Sequence, residues 1–157
     1  MIYAGGLIGF VFISITYRLY AGVFAYHKLG HIHCELDKPR YHVGDEIHYT
    51  IQICPPENVT LNSIQVFWLK CEEVAYRDPE KGKRSYYYND IVGRETPCQS
   101  VNISAGENFI VSGKFVLPDA MHTFKAIDNC IIWSMNITIE IAHSPNREWS
   151  ESFEVLP

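Results

Sequence analysis

The sequence predicts a mostly β protein with one N-terminal transmembrane helix, residues 1–27, followed by a single antiparallel β-sandwich of about seven strands, residues 28–157. Two observations carry this prediction. Between residues 2 and 26 the only charged side chain is Arg18, and the others are apolar, aromatic or small. After residue 27 the chain alternates apolar and polar residues in short runs, separated by turns that contain proline or glycine. About 130 residues follow the apolar segment, which is enough for one hydrophobic core.

The N-terminal segment has the length of a membrane helix. A bilayer core about 30 Å thick needs about twenty helical residues, and residues 2–26 exceed that number. Arg18 would then send its guanidinium to the lipid headgroups or pair with an acidic group of a membrane partner. Gly5 and Gly9 have the G-x-x-x-G spacing that lets a second helix approach closely. We therefore expect a single-pass anchor that contacts membrane lipid and packs against an integral membrane protein through these three residues.

Two alternatives to a retained anchor stay open, a cleaved secretory signal and a buried helix of a soluble domain. The segment lacks a basic region before its apolar part, which disfavours a signal. Lysine and arginine residues follow on its C-terminal side, so the positive-inside tendency places the sandwich in the cytoplasm. Three N-x-S/T sequons, at Asn58, Asn102 and Asn136, would be used only in a secretory compartment and point the other way.

The strand prediction is clearest between Cys130 and Ala142. Every second residue there is apolar, which is the period of a strand with one buried face. The predicted core residues of this strand are Ile131, Trp133, Met135, Ile137, Ile139 and Ile141. Similar patterns predict further strands at residues 31–36, 46–53, 62–74, 85–91, 109–117 and 147–155. Residues 78–83 are predicted to form the tip of a hairpin.

Composition disfavours several classes of function. The net charge of −5 argues against general binding to a nucleic acid backbone. The five cysteines are scattered and include no C-x-x-C pair, which indicates free thiols in a reducing compartment rather than a disulfide framework. Two disulfides with a spare thiol remain an alternative. The sequence has no phosphate-binding glycine loop or zinc ribbon, so no cofactor is expected.

A histidine-rich region is the first candidate binding site. Five histidines lie between His27 and His48, and His31 and His33 share one face of the first predicted strand, as two metal ligands would. No third ligand is fixed by the sequence. The competing interpretation is therefore a polar strand face with no metal.

A basic cluster is the second candidate. Four basic residues surround the predicted hairpin tip: Arg77, Lys81, Lys83 and Arg84. Three consecutive tyrosines follow them, at residues 86–88. This cluster would contact anionic lipid headgroups or a partner if the hairpin faces one. The alternative is a solvated tip, because two acidic residues within the same turn offset the charge.

The order of several short segments carries a family resemblance. The segments are Val43-Gly44-Asp45-Glu46-Ile47 before a strand, Glu72-Glu73 closing a long strand, Phe115-Val116-Leu117-Pro118 ending another, the loop 119–128, Ile131-Ile132-Trp133 opening the longest strand, and Phe153-Glu154-Val155-Leu156-Pro157. Taken in order, they resemble the arrestin-like β-sandwich family, in particular the N-terminal-type domain of arrestin-related and bacterial sporulation-control-like proteins. The resemblance covers residues 31–157. It implies an arrestin/immunoglobulin-like sandwich that acts as an adaptor or scaffold without catalysis. The chain departs from two-domain arrestins because it has one sandwich and an anchor, so receptor binding of the arrestin type is not carried over.

These observations together predict a non-catalytic, membrane-anchored scaffold or accessory subunit of a larger integral membrane protein complex. Its expected partners are membrane lipid and an integral membrane protein, with no nucleic acid. Two other classes remain as alternatives. One is a metal-binding or enzymatic module that uses the region from His27 to His48, and the other is an extracytoplasmic adhesion or receptor-type sandwich.

Overall fold

A computed structural model describes residues 27–78, 82–118, 122–126 and 128–157 of the chain. These residues form nine strands packed as two β-sheets. The strands are β1 His31–Leu36, β2 Arg40–His42, β3 Glu46–Cys54, β4 Val59–Asp78, β5 Gly82–Ile103, β6 Phe109–Val116, β7 Phe124–Lys125, β8 Asn129–Ile141 and β9 Arg147–Leu156. The smaller sheet has the order β1-β3-β6, and the larger has the order β2-β9-β8-β4-β5, with β7 paired to β8.

The predicted fold class requires a correction at its N-terminal end. Across the four described stretches, no helix is both long enough and apolar enough to cross a membrane. The fold there is mostly β, and the transmembrane helix predicted as its first element is not part of it. The segment predicted as an anchor, together with Gly5, Gly9 and Arg18, lies outside the described residues, except that His27 begins a short helical turn.

The strand count and the pairing also differ from the prediction. The described residues contain nine strands rather than about seven, because β2 and β7 were not predicted. Strand β2 is three residues long and β7 is two, so neither is long enough to show a two-residue period. The larger sheet is not purely antiparallel, since β2 runs parallel to β9 with Tyr41 opposite Val155.

The core lies between the two sheets and confirms the predicted alternation of β8. All six predicted core residues of that strand are buried. Trp68 of β4 is fully buried, stacks on Phe115 of β6 at 4.7 Å and meets Tyr49 of β3 edge-on at 5.9 Å. These contacts join the sheets, because β4 belongs to the larger one and the other two strands to the smaller. Trp149 of β9 packs at the margin of the core and is only partly buried.

Strands β4 and β5 form a hairpin much longer than predicted. Strand β5 covers 22 residues, although only residues 85–91 were predicted as extended. The pair Glu72-Glu73 does not close β4, which continues to Asp78. Asp78 is opposite Gly82, so the hairpin predicted around residues 78–83 is confirmed.

All five cysteines are free thiols, as the sequence predicted. Cys34 is buried and burial raises its pKa to about 12, so this thiol stays protonated at neutral pH. Cys54 differs from Cys34, because its side chain is exposed at the end of β3.

The carboxylate of Asp37 stabilises the connection between β1 and β2 through hydrogen bonds. Its Oδ1 accepts hydrogen bonds from the Tyr41 hydroxyl at 2.8 Å and from the His48 backbone N–H at 2.9 Å. Burial alone would raise the pKa of Asp37, but the hydrogen bonds from Tyr41 and His48 outweigh it and hold the pKa below its usual value of 3.8.

Acidification is therefore expected to destabilise the fold through Asp37. A carboxyl group with a lowered folded-state pKa stabilises the fold above its unfolded-state pKa, and this stabilisation is lost as the pH falls through the folded-state value. Asp37→Asn keeps an oxygen acceptor without the charge. Its free energy of unfolding should fall less than that of the unmodified chain between about pH 6 and about pH 3. Urea denaturation across this range measures the difference, and equal losses in both proteins would contradict it.

Candidate functional site

The two sheets differ in length, which leaves part of the long hairpin uncovered. At about 3.3 Å per residue, β4 is roughly 65 Å long, whereas β3, the longest strand of the smaller sheet, is roughly 30 Å. The residues of β4 that belong to the hydrophobic core cluster end at Trp68, which is 0% exposed. Six residues farther along β4, Val74 is 48% exposed on the same side of the sheet. We call residues 70–78 of β4 and 82–91 of β5 the arm.

One side of the arm continues the core surface of the larger sheet. Residues directly opposite each other in an antiparallel pair have side chains on the same face. Val74 is opposite Tyr86, and Tyr88 is opposite Glu72, so these side chains line one surface with the core residue Ile131. The ring of Phe124, opposite Ile131 in β7, extends it. We call Val74, Tyr86, Tyr88 and Phe124 the inner face; Tyr86 and Tyr88 are 62% and 64% exposed.

Polar side chains border the inner face at both ends. Lys70 Nζ lies 3.0 Å from Glu72 Oε1 and 3.9 Å from Asp90 Oδ2, at the end nearer the core. Arg84 is exposed at the other end, two residues before Tyr86. Glu72 is opposite both Tyr88 and Ile131, so its position lies among the aromatic residues of this surface. Exposed aromatic rings combined with charged groups are typical of a protein-binding surface.

The opposite side of the arm contains a carboxylate with two donors. The Tyr87 hydroxyl donates to Glu73 Oε1 at 3.1 Å, and Cys130 Sγ lies 3.5 Å from Glu73 Oε2. The hydrogen bond to Glu73 raises the pKa of Tyr87, while burial and the same carboxylate raise the pKa of Cys130. Both groups therefore stay protonated at neutral pH. The cluster fixes the position of the Tyr87 ring and leaves the Cys130 thiol without nucleophilic activation.

Three residues of the predicted basic cluster belong to the paired strands at the end of the arm. Arg77 is opposite Lys83, and Arg84 is opposite Tyr76. Because neighbouring residues of a strand alternate between its two faces, the position of Arg84 is on the other face from the positions of Arg77 and Lys83. Lys81 lies outside the described residues.

The candidate metal ligands lie on the solvent side of the smaller sheet. His31 and His33 occupy alternate positions of β1, and both are exposed. His33 Nε2 is 3.5 Å from Glu35 Oε2, while His48 on β3 is 3.1 Å from Glu46. Within residues 27–78, 82–118, 122–126 and 128–157, no three histidine, cysteine or acidic side chains are grouped as metal ligands would be.

A small cavity between β1 and β9 was not predicted. Its volume is about 180 Å³, and it is lined by Gly30, His31, Ile32, Arg147 and Trp149. Arg147 Nε and Trp149 Nε1 are buried there without an acceptor in the described parts of the chain. A cavity of this size holds a few water molecules, which would supply the acceptors.

Comparison with known proteins identifies the architecture. No protein-family model matches the chain, and no curated protein matches it. Among solved structures, it is similar to Spo0M, a sporulation control protein from Bacillus subtilis, with a TM-score of 0.65 and 12% sequence identity. The fold is an arrestin-like β-sandwich. The similarity covers 80% of this chain and 49% of Spo0M, so the chain spans about half the length of that protein. The sandwich expected from the family resemblance is thus confirmed at the level of the fold.

Proposed function

We propose that this chain is a non-catalytic scaffold that holds a partner protein against the inner face of the arm. The exposure of four large apolar or aromatic side chains, Val74, Tyr86, Tyr88 and Phe124, on one side of the larger sheet carries this proposal. Exposed groups of large apolar side chains mark binding surfaces in many proteins. Tyrosine suits an interface because it contributes a large apolar ring with little conformational entropy to lose and a hydroxyl that stays hydrated at the border.

The charged border supports a protein partner over a small ligand. A small-molecule site is concave and buries most of its ligand, whereas the inner face is an open sheet surface. The Lys70, Glu72 and Asp90 group at one end and Arg84 at the other can orient a partner of complementary charge. The sequence-based expectation that this partner belongs to an integral membrane complex, with the sandwich on its cytoplasmic side, stays a prediction.

Affinity capture of the tagged full-length chain at native abundance, followed by quantitative mass spectrometry, tests the proposal. Val74→Glu introduces a charge at the centre of the inner face and should lower recovery of a stoichiometric partner by about tenfold, which corresponds to about 1.4 kcal/mol. Ile110→Glu is the matched control, because Ile110 is an equally exposed aliphatic residue on β6, in the other sheet.

We expect the unmodified chain and Ile110→Glu to recover one partner at the same ratio. We expect Val74→Glu to lose this partner. Thermal unfolding of both variants verifies that the sandwich is intact. Equal recovery with all three proteins, or no stoichiometric partner at all, would contradict the proposal.

A further inference from the structure

Among the residues that the structure describes, the far part of β5 forms an edge of the larger sheet. Strand β5 is the last strand of the larger sheet, so residues 82–90 pair with β4 on one side only. The pairing there is regular from Leu69 opposite Ile91 to Asp78 opposite Gly82. The two register shifts of this hairpin lie nearer the core. One is between Ile64 and Val66, and the other is between Trp68 and Leu69. An extended edge with neither bulge nor proline is a template for another strand.

The sequence of this edge is complementary to its own reverse. Residues 84–90 read Arg-Ser-Tyr-Tyr-Tyr-Asn-Asp, with a cation at one end, an anion at the other and three tyrosines between them. We propose that two copies of the chain pair antiparallel through this edge, with Tyr87 opposite Tyr87 of the second copy at a two-fold axis. The two larger sheets then become one continuous sheet.

In this register the charged and aromatic residues of the segment lie opposite complementary residues of the second copy. Arg84 lies opposite Asp90 of the second copy, and Tyr86 lies opposite Tyr88 of the second copy, each twice because of the symmetry. A parallel arrangement in register would place Arg84 opposite Arg84 of the second copy, where like charges repel. An antiparallel slip by two residues would separate the arginine from the aspartate.

The two charged groups are available for this pairing. Arg84 is exposed, and the Asp90 side chain is nearly half exposed, with Lys70 Nζ at 3.9 Å. Lys70 lies closer to Glu72, at 3.0 Å, so it keeps a partner when Asp90 turns to a second copy. The pairing uses the backbone edge of β5 and requires no partner on the inner face, so it goes beyond the scaffold proposal.

Cysteine cross-linking of the full-length chain tests the register. Tyr87→Cys places two thiols opposite each other at the two-fold axis, within the Cα separation that a disulfide spans. Ser85→Cys is the matched control on the same side of the strand. In the proposed register its two copies are four residues apart, about 13 Å, which is too far for a disulfide. Peptide mass spectrometry after mild oxidation should find a 87–87 link and no 85–85 link. Absence of the 87–87 link, or equal linking at both positions, would overturn the proposal.

Charge reversal gives a second, independent readout. Arg84→Asp and Asp90→Arg should each weaken dimerisation at least tenfold in analytical ultracentrifugation, and the double variant Arg84→Asp/Asp90→Arg should restore it, because both cross-strand pairs are re-formed. Unchanged dimerisation in the single variants, no recovery in the double variant, or a monomer for the unmodified chain would each overturn the proposal. Val74→Glu leaves the β5 edge intact and should dimerise normally, so failure of the scaffold proposal and failure of this one are distinguishable.

Discussion

Replacing Trp68 with alanine is expected to lower the free energy of unfolding by about 3 to 5 kcal/mol. Trp68 is fully buried and contacts three aromatic rings: it stacks on Phe115 at 4.7 Å and meets Tyr49 and Phe153 at 5.9 and 6.0 Å. These rings come from both sheets, so the cavity left by the substitution would lie at the centre of the sandwich. A loss of this size is a large fraction of the roughly 5 to 15 kcal/mol that stabilises a typical domain.

Urea denaturation followed by far-ultraviolet circular dichroism measures this loss without relying on tryptophan fluorescence. Trp149→Ala is the control, because Trp149 is a tryptophan of the same size that is only partly buried at the margin of the core. Its expected cost is less than half that of Trp68→Ala. Equal costs for the two substitutions would contradict the position of the core between β4, β3 and β6.

Replacing Gly113 with alanine is expected to destabilise the sandwich by about 1 to 3 kcal/mol, although alanine is the smallest possible addition. A methyl group at this position of β6 would overlap the ring and the hydroxyl of Tyr49 on the adjacent strand β3. Tyr49 is buried and packs edge-on against Trp68, so a shift of its ring would disturb this packing. On an exposed strand, by contrast, a change from glycine to alanine is neutral or stabilising.

A double-mutant cycle with Tyr49→Leu separates this overlap from other effects. The cost of Gly113→Ala should become much smaller in the Tyr49→Leu background, because leucine has neither the ring nor the hydroxyl that the methyl group meets. Ser112→Ala, next to it on the exposed side of β6, is the control and should change stability by less than about 0.5 kcal/mol. If the changes in the free energy of unfolding of Gly113→Ala and Tyr49→Leu were additive, contact with Tyr49 would not be the reason for glycine at position 113.

The alternation of apolar and polar residues in the sequence predicted the strands that have one buried and one exposed face. Strand β8 is the clearest example, since it lies between two neighbours and its apolar side faces the smaller sheet along most of its length. Most of strand β5 was missed for a different reason. Its unpredicted part, residues 92–103, contains Gly93 and Pro97 and two register shifts against β4, which interrupt a two-residue period.

The inner face could not be predicted because its residues read as ordinary core positions. Val74 is a β-branched residue separated from Trp68 on its side of β4 by Lys70 and Glu72, and Phe124 is an aromatic residue in the predicted loop 119–128. Both residue types are usually buried. Their exposure follows from the different lengths of the two sheets, and that difference depends on pairings between residues far apart in the sequence. The tyrosines at 86–88 were noticed beside the basic cluster, but the sequence alone did not place them with Val74 on one surface.

Side-chain oxidation footprinting of the full-length chain, alone and bound to its captured partner, tests the scaffold proposal most directly. The proposal predicts that oxidation of Tyr86, Tyr88 and Phe124 falls when the partner binds, while oxidation of Ile110 and Val116 on the smaller sheet does not change. Unchanged oxidation of the inner face, with protection elsewhere on the sandwich, would show that the arm does not hold the partner.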